Sequence, residues 1–190
     1  MQPTRTDLIN FLIKKYNLKS FLEIGCQKNV NFNAIECKKK VSVDPDPAAN
    51  ATFCMTSDEY FYNNFEVFDI IFIDGLHEYQ QVKKDFENSY RVISANGFII
   101  LHDCNPIGEE FTSVPRETKV WYGDVYKFAA QLGTNWLSFK TIDMDCGCGV
   151  FMPNTQEYAL REVPTWEHFE QNRDRLLNLI SWEDFLKTHN

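Results

Sequence analysis

Long apolar runs are missing from this sequence. The longest, Ile70 to Ile73 and Phe98 to Leu101, fall far short of the roughly 20 residues that a membrane-spanning helix needs. Positive charge is scarce: 19 Lys and Arg stand against 27 Asp and Glu, a formal charge of −8. That balance argues against non-specific nucleic-acid binding, which depends on basic patches. Glycine is sparse too, at 8 residues. The run Gly25-Cys26-Gln27-Lys28-Asn29-Val30 has one glycine where a nicotinamide-dinucleotide fingerprint needs three. A second close cysteine pair is also lacking. Of the six cysteines at 26, 37, 54, 104, 146 and 148, only Cys146 and Cys148 are near one another, whereas structural zinc sites show two pairs with wider internal spacing. Reduced thiols and a cytoplasmic location are the expectation. Met1 to Asp7 carry no apolar signal-peptide core, and there are no repeats or low-complexity tracts.

What is present suits one globular domain over 1–190. The composition is 44% hydrophobic and 24% charged, with 16 Phe, 8 Tyr and 4 Trp to bury. Strand-like and helix-like patterns alternate, which predicts an α/β fold. Leu8, Ile9, Leu12, Ile13 and Tyr16 share one face of a helix over Asp7 to Tyr16, with Thr6 as the expected N-cap. Strands are expected at Ser20 to Ile24, Val41 to Val43, Ala51 to Met55, Phe68 to Ile73 and Phe98 to Leu101. Helices are expected at Phe32 to Cys37, at Thr56 to Tyr62, and through Tyr79, Val82, Phe86, Tyr90 and Ile93 until Asn96-Gly97 stops the last. Cys104 to Gly123 shows no regular pattern, the mark of a functional loop inside a compact domain. Asp124 should cap a helix carrying Val125, Phe128, Ala129 and Leu132, with Gly133 as its stop. Trp136 to Ile142 and Val150 to Met152 should pair as a hairpin, and amphipathic pieces near Trp166 to Ile180 and from Ser181 onward should pack on the sheet.

The whole reads as a Rossmann-like doubly wound sheet, mostly parallel, with an antiparallel C-terminal hairpin. An N-terminal helix occupies 1–19, a cofactor-binding core 20–153 with an active-site loop at 104–123, and C-terminal helices 154–190. Such sheets bind ligands at the C-terminal ends of their strands. Glu23-Ile24-Gly25, Asp44, Asp74 and His102-Asp103 all fall at expected strand ends. Asp44 follows Glu23 by 21 residues, where a carboxylate can accept both hydroxyls of an adenosine ribose. S-adenosylmethionine has no phosphates and needs few glycines, and Glu23 would suit its zwitterionic end. On local pattern alone, Glu23 as a turn cap and Asp44 as a solvated loop acid are equally good readings.

The strings Phe21-Leu22-Glu23-Ile24-Gly25, Val43-Asp44-Pro45-Asp46-Pro47, Ile73-Asp74-Gly75-Leu76-His77-Glu78-Tyr79 and Leu101-His102-Asp103-Cys104-Asn105-Pro106 resemble the class I S-adenosylmethionine-dependent methyltransferases. Within them the chain looks most like a small single-domain group with an Ile-Asp-Gly-x-His-x-Tyr motif and a following His-Asp. Trp121-Tyr122-Gly123-Asp124-Val125-Tyr126-Lys127 adds to the likeness, which spans roughly 20–152. Gln27 and Asn29 depart from the extra glycines of many relatives. The resemblance implies cofactor contacts at Glu23, Gly25, Cys26, Asp44, Ser57 and Asp74.

Methyl transfer requires positioning of the acceptor, removal of its proton when it is a hydroxyl, and exclusion of water. A divalent metal can lower a hydroxyl pKa, and oxygen ligands suit Mg²⁺. The chain is similar here to metal-dependent O-methyltransferases acting on catechols and on macrolide sugars. That likeness maps Asp74, Asp103 and His102 onto metal-site positions, although a histidine departs from the usual oxygen chemistry. Alternatively, Asp74 binds cofactor or caps a helix and Asp103 caps a loop. His77 is placed to act as general base, as a similar histidine does in some sugar methyltransferases. A helix-end hydrogen-bonder is the plainer role for it. His102 is the second choice for the base, and Asp74 completes the catalytic set. Glu109, Glu110, Arg116 and Trp121 in the loop are candidates for holding the acceptor, Trp121 by stacking on a sugar.

The function this implies is O-methylation of a sugar-like or polyhydroxylated small molecule or glycan, with neither nucleic acid nor membrane as partner. A homo-oligomer is compatible with the sequence. Rival readings are an inactive cofactor-binding scaffold on the same fold and a nicotinamide-dependent oxidoreductase.

Overall fold

The apolar run Ile70 to Ile73 sits mid-sheet, buried on both faces by helices. The computed structural model describes residues 2–135, 138–153 and 162–189. Strands β1 (Ser20–Ile24), β2 (Lys39–Val43), β3 (Phe68–Ile73) and β4 (Ile93–Leu101) run parallel. The antiparallel hairpin β5 (Phe139–Ile142) and β6 (Cys148–Phe151) extends the sheet, in the order β2-β1-β3-β4-β6-β5. The expected Rossmann-like fold is therefore present, with its order reversing between β1 and β3.

Helices α1 (Arg5–Tyr16) and α7 (Trp182–Thr188) cover one face, burying Leu8, Ile9, Leu12, Ile13 and Phe185 against Phe21, Ile70, Phe72 and Phe98. On the other face lie α3 (Ser57–Asn63), α4 (Tyr79–Val92), α5 (Val125–Asn135) and α6 (Trp166–Leu177). Val82, Phe86, Phe128, Phe169 and Leu177 pack there on Leu22, Ile71, Ile99 and Phe151. A short α2 (Val30–Ala34) follows β1. Among the described residues no helix is long and apolar enough to cross a membrane. All six cysteines are free thiols.

Several local expectations are corrected. Ala51 to Met55 forms no strand, because only Phe53 bridges β2, at Val43. The sheet thus has four parallel strands rather than five. The cap of α1 is Thr4 rather than Thr6, because Thr4 and Asp7 exchange side-chain and backbone bonds in a capping box. Helix α2 begins and ends earlier than Phe32 to Cys37. Helix α4 passes into β4 with no intervening loop, so Asn96-Gly97 lies inside the strand. Gly133 lies inside α5 instead of ending it. A Cβ there would stand 2.0 Å from the Leu176 carbonyl oxygen, so glycine lets α6 cross closely. The loop after β4 contains one short helical turn, Glu109–Phe111. Residues 136–137 of the expected hairpin strand, and 154–161 of the C-terminal stretch, lie outside the described residues.

Candidate active site

The strands deliver their last residues to one end of the sheet, and backbone bonds extend the ladder beyond them. Gly25 N–H donates to Val43 O at 2.8 Å, Asp74 N–H to Ile24 O at 2.9 Å, and His102 N–H to Ile73 O at 3.1 Å. A cavity of about 730 Å³ opens there, large enough for a cofactor and part of an acceptor. Gly25, Asp44 and Ser57 line one end; Asp74, His77, His102 and Asp103 line the other. Gly25 has φ +83°, and a Cβ on it would stand 2.2 Å from Asp74 O. Only glycine lets β1 turn this closely under the end of β3.

Two expected cofactor residues do not line the cavity. Glu23 alternates with Ile24 and so faces the α1 side with Phe21. It is 2% exposed; Oε1 accepts from Asn31 at 3.3 Å, and Oε2 has no partner among the described residues. Burial pushes its carboxyl up to about 8. Cys26 is buried behind the turn beside Ser42, and burial raises its thiol pKa. Asp44 lines the cavity and accepts from Gln27 N–H at 2.8 Å and Asp46 N–H at 2.9 Å, which fixes its carboxylate.

The other end is a cluster of alternating charge. His77 Nε2 lies 3.2 Å from Asp74 Oδ1, and His77 Nδ1 lies 3.1 Å from Asp103 Oδ2 and 3.2 Å from the Trp121 carbonyl oxygen. His102 Nδ1 lies 3.2 Å from Asp74 Oδ1 and 3.3 Å from Asp103 Oδ1. Its Nε2 is 3.7 Å from Asp145 Oδ1. Burial opposes charge on both rings and Arg5 Nη1 stands 3.4 Å from His102 Nδ1, but the surrounding carboxylates outweigh both, so both imidazole pKa values rise, that of His102 the further. Burial likewise opposes charge on Asp74 and Asp145. Asp74 is nevertheless held well below the usual carboxylate range by His102, His77 and Arg5, and Asp145 by His102 and Arg5. The His102 side chain is 4% exposed and that of His77 18%. His102 is thus buried among carboxylates that favour its protonated form, and His77 is the more exposed of the two rings.

Sequence reasoning missed three members of this cluster. Arg5, in the first turn of α1, donates from Nη1 to Asp74 Oδ2 at 2.7 Å and from Nε to Asp145 Oδ2 at 3.0 Å. Its backbone N–H also reaches Asp145, at 2.8 Å. Asp145 and Cys146 stand on the β5–β6 turn, both at positive φ. Cys104 N–H and Asn105 N–H donate to Gly147 O and Cys146 O, each at 3.0 Å, which pins the residues after Asp103 to that turn. Asp103 itself has φ 58°, a costly conformation of the kind that collects at functional sites.

Of the loop residues, Arg116 and Trp121 line the cavity, while Glu109 and Glu110 are not among its lining. The Trp121 indole stacks on His77, with centroids 5.2 Å apart and planes 17° apart, and donates to Ser113 O at 2.6 Å. In this arrangement it orients the imidazole. Asp124 accepts from Tyr79 N–H at 2.5 Å, and so ties the start of α5 to the start of α4.

Residues 25–104 match the model of a family described as a methyltransferase domain. No curated protein matches the chain. Among solved structures, the O-methyltransferase TomG from Streptomyces achromogenes, involved in tomaymycin synthesis and in complex with SAM, is similar. It has 11% identity and a TM-score of 0.54, over 79% of this chain and 80% of that one. The Podospora anserina methyltransferase PaMTH1, bound to SAH, has 17% identity and a TM-score of 0.54, over 79% and 78%. An O-methyltransferase from Bacillus cereus in complex with SAH has 16% identity and a TM-score of 0.51, over 79% and 80%. At these identities the structural likeness speaks for the fold alone: the chain has a Rossmann-like fold of the kind these methyltransferases share, and its residues 25–104 are similar to a methyltransferase domain.

Proposed function

We propose that the chain, acting as one domain, transfers the methyl group of S-adenosylmethionine to a hydroxyl oxygen of a sugar-like or polyhydroxylated small molecule, with His77 as general base. The observation that carries this reading is the position of His77. It lies in a cavity shared with Gly25 and Asp44, between two carboxylates and under Trp121. Its Nδ1 faces two acceptors, Trp121 O and Asp103 Oδ2, and keeps its proton. In this reading Nε2, which lies 3.2 Å from Asp74 Oδ1, takes the acceptor's proton as the oxygen attacks the methyl carbon and the carbon–sulfur bond breaks, and the Asp74 carboxylate stabilises the protonated ring. Asp74 and Asp103 orient the ring, and Trp121 keeps water from one face. SAM- and SAH-bound relatives on the same fold support the choice of cofactor.

Asp44 is the ribose acid in this reading. S-adenosylhomocysteine should raise the melting temperature, since it binds the folded state. Asp44→Ala should weaken its binding by about 1.5–3 kcal/mol. Calorimetry checks this, and unchanged affinity would remove Asp44 from the cofactor site. The variant also loses the bonds to Gln27 and Asp46, so its unliganded melting temperature is the necessary control.

The donor set fits a divalent ion. Asp74, His77 and Asp103 offer ligand atoms that all lie within 4.8 Å of one another, and His102 Nδ1 stands beside both carboxylates. Asp74, Asp103 and His102 would hold it, and when bound it supplies a lowered acceptor hydroxyl pKa. EDTA should abolish turnover and added Mg²⁺ or Mn²⁺ restore it, while Asp103→Asn keeps cofactor binding and loses the metal response. Full activity in chelator would leave His77 and its two carboxylates as the whole machinery.

A further inference from the structure

We propose that Cys146, with His102 and Asp103, forms a binding site for a borderline divalent ion of the zinc class rather than for magnesium. The inference rests on reading the cavity as a metal-assisted site, and changes which ion and which face of the cluster are used. One donor atom each from His102, Asp103 and Cys146 lies within 4.8 Å of the other two. The Asp74–His77–Asp103 group shares Asp103, but its Asp74 already has company. Oδ2 accepts from Arg5 at 2.7 Å, and Oδ1 faces His77 and His102, each at 3.2 Å. An ion there shares Asp74 with the Arg5 guanidinium, which also stands 3.4 Å from His102 Nδ1 and leaves Nε2 as the other nitrogen of that ring.

The Cys146 side differs in kind. His102 is 5% exposed, and its Nε2 has no hydrogen-bond partner among the described residues. That nitrogen lies 3.7 Å from Asp145, the residue just before Cys146. Tyr122 lines the same cavity as Cys146. A sulfur, an imidazole nitrogen and a carboxylate oxygen together select zinc or cobalt, whereas magnesium prefers oxygen alone. Three protein ligands leave a fourth position open, which is the form of a catalytic rather than a structural zinc site. Cys146, His102 and Asp103 all line the cavity, so an open position on the ion would be within reach of a bound molecule. On binding, the metal–sulfur and metal–nitrogen bonds would form as the thiol proton and the proton on the ligating His102 nitrogen leave to solvent.

Cobalt(II) is the probe, because thiolate ligation gives a charge-transfer band in the near ultraviolet. The full chain should show that band on titration with Co²⁺. Zn²⁺ should remove it, and Mg²⁺ in large excess should not. Cys146→Ser should abolish the band and weaken Co²⁺ binding by more than about tenfold, while Cys148→Ala retains both. Circular dichroism and the S-adenosylhomocysteine-induced melting shift report whether each variant is folded. No band in the wild type, a band that survives Cys146→Ser, or displacement by Mg²⁺ overturns the inference. Cofactor binding without a band removes only this ion site. A band without cofactor binding removes the methyl-transfer reading and leaves the ion site standing.

Discussion

His77→Gln should lower kcat by about 10²–10⁴-fold, the usual cost of losing a general base. Glutamine keeps a hydrogen-bonding side chain between Asp74 and Asp103 but cannot take a proton at neutral pH. S-adenosylhomocysteine affinity should stay near wild type, because His77 faces the acceptor. The pH profile carries the more specific expectation. The acceptors around His77 favour its protonated form, so its pKa is raised in the folded protein. A base works only when neutral, so kcat should climb with rising pH through a midpoint above the ordinary value of about 6.5. That rising limb should vanish in His77→Gln. In His102→Gln the limb should persist, since His102 is buried between Asp74, Asp103 and Asp145 and is less accessible than His77. If His77→Gln keeps most of its kcat while His102→Gln loses both rate and limb, the base is His102.

Gly25→Ala should cost both stability and cofactor binding. A Cβ at φ +83° is strained by itself, and it would stand 2.2 Å from Asp74 O and 2.6 Å from Gly75 Cα. Those are backbone atoms, so the end of β3 has to move. Strain of about 1–3 kcal/mol plus overpacking of about 1–3 kcal/mol should lower the melting temperature by roughly 5–15 °C for a domain of this size. S-adenosylhomocysteine should no longer raise it. Calorimetric scans with and without ligand decide the matter: a normal melting temperature with a normal ligand shift would mean that the β1 turn has slack the geometry does not show.

The acids and histidines that end β1 to β4 are legible in the sequence because each terminates an apolar run, and a doubly wound sheet brings such ends together. Asp44, Asp74, His77, His102 and Asp103 all line the cavity for that reason. Glu23 misleads because position in a strand fixes which end a residue is near, while alternation fixes which face it meets. Arg5 gives no signal, since a lone arginine in a helix's first turn reads as a surface charge. Asp145 and Cys146 sit on a hairpin turn whose backbone conformation no periodicity reports; the close Cys146-Gly147-Cys148 spacing was the only hint. Ala51 to Met55 has strand-like composition, but a single bridge at Phe53 is all the pairing it makes. Pairing is a long-range property, and composition does not carry it.

The reach of Arg5 to Asp145, across 140 residues of chain, has a consequence for the order in which the protein becomes competent. During synthesis the strands up to β4 can pair before the β5–β6 turn exists, and short-range contacts close first because long loops cost more entropy. A nascent chain that has reached only Cys104 already holds the glycine turn and Asp44, which line one end of the cavity. At that stage Arg5 meets Asp74 without Asp145, and His102 has lost a carboxylate neighbour. The carboxylate–histidine cluster is thus completed only when the β5–β6 turn, the last of its segments to be made, docks against Arg5 and His102.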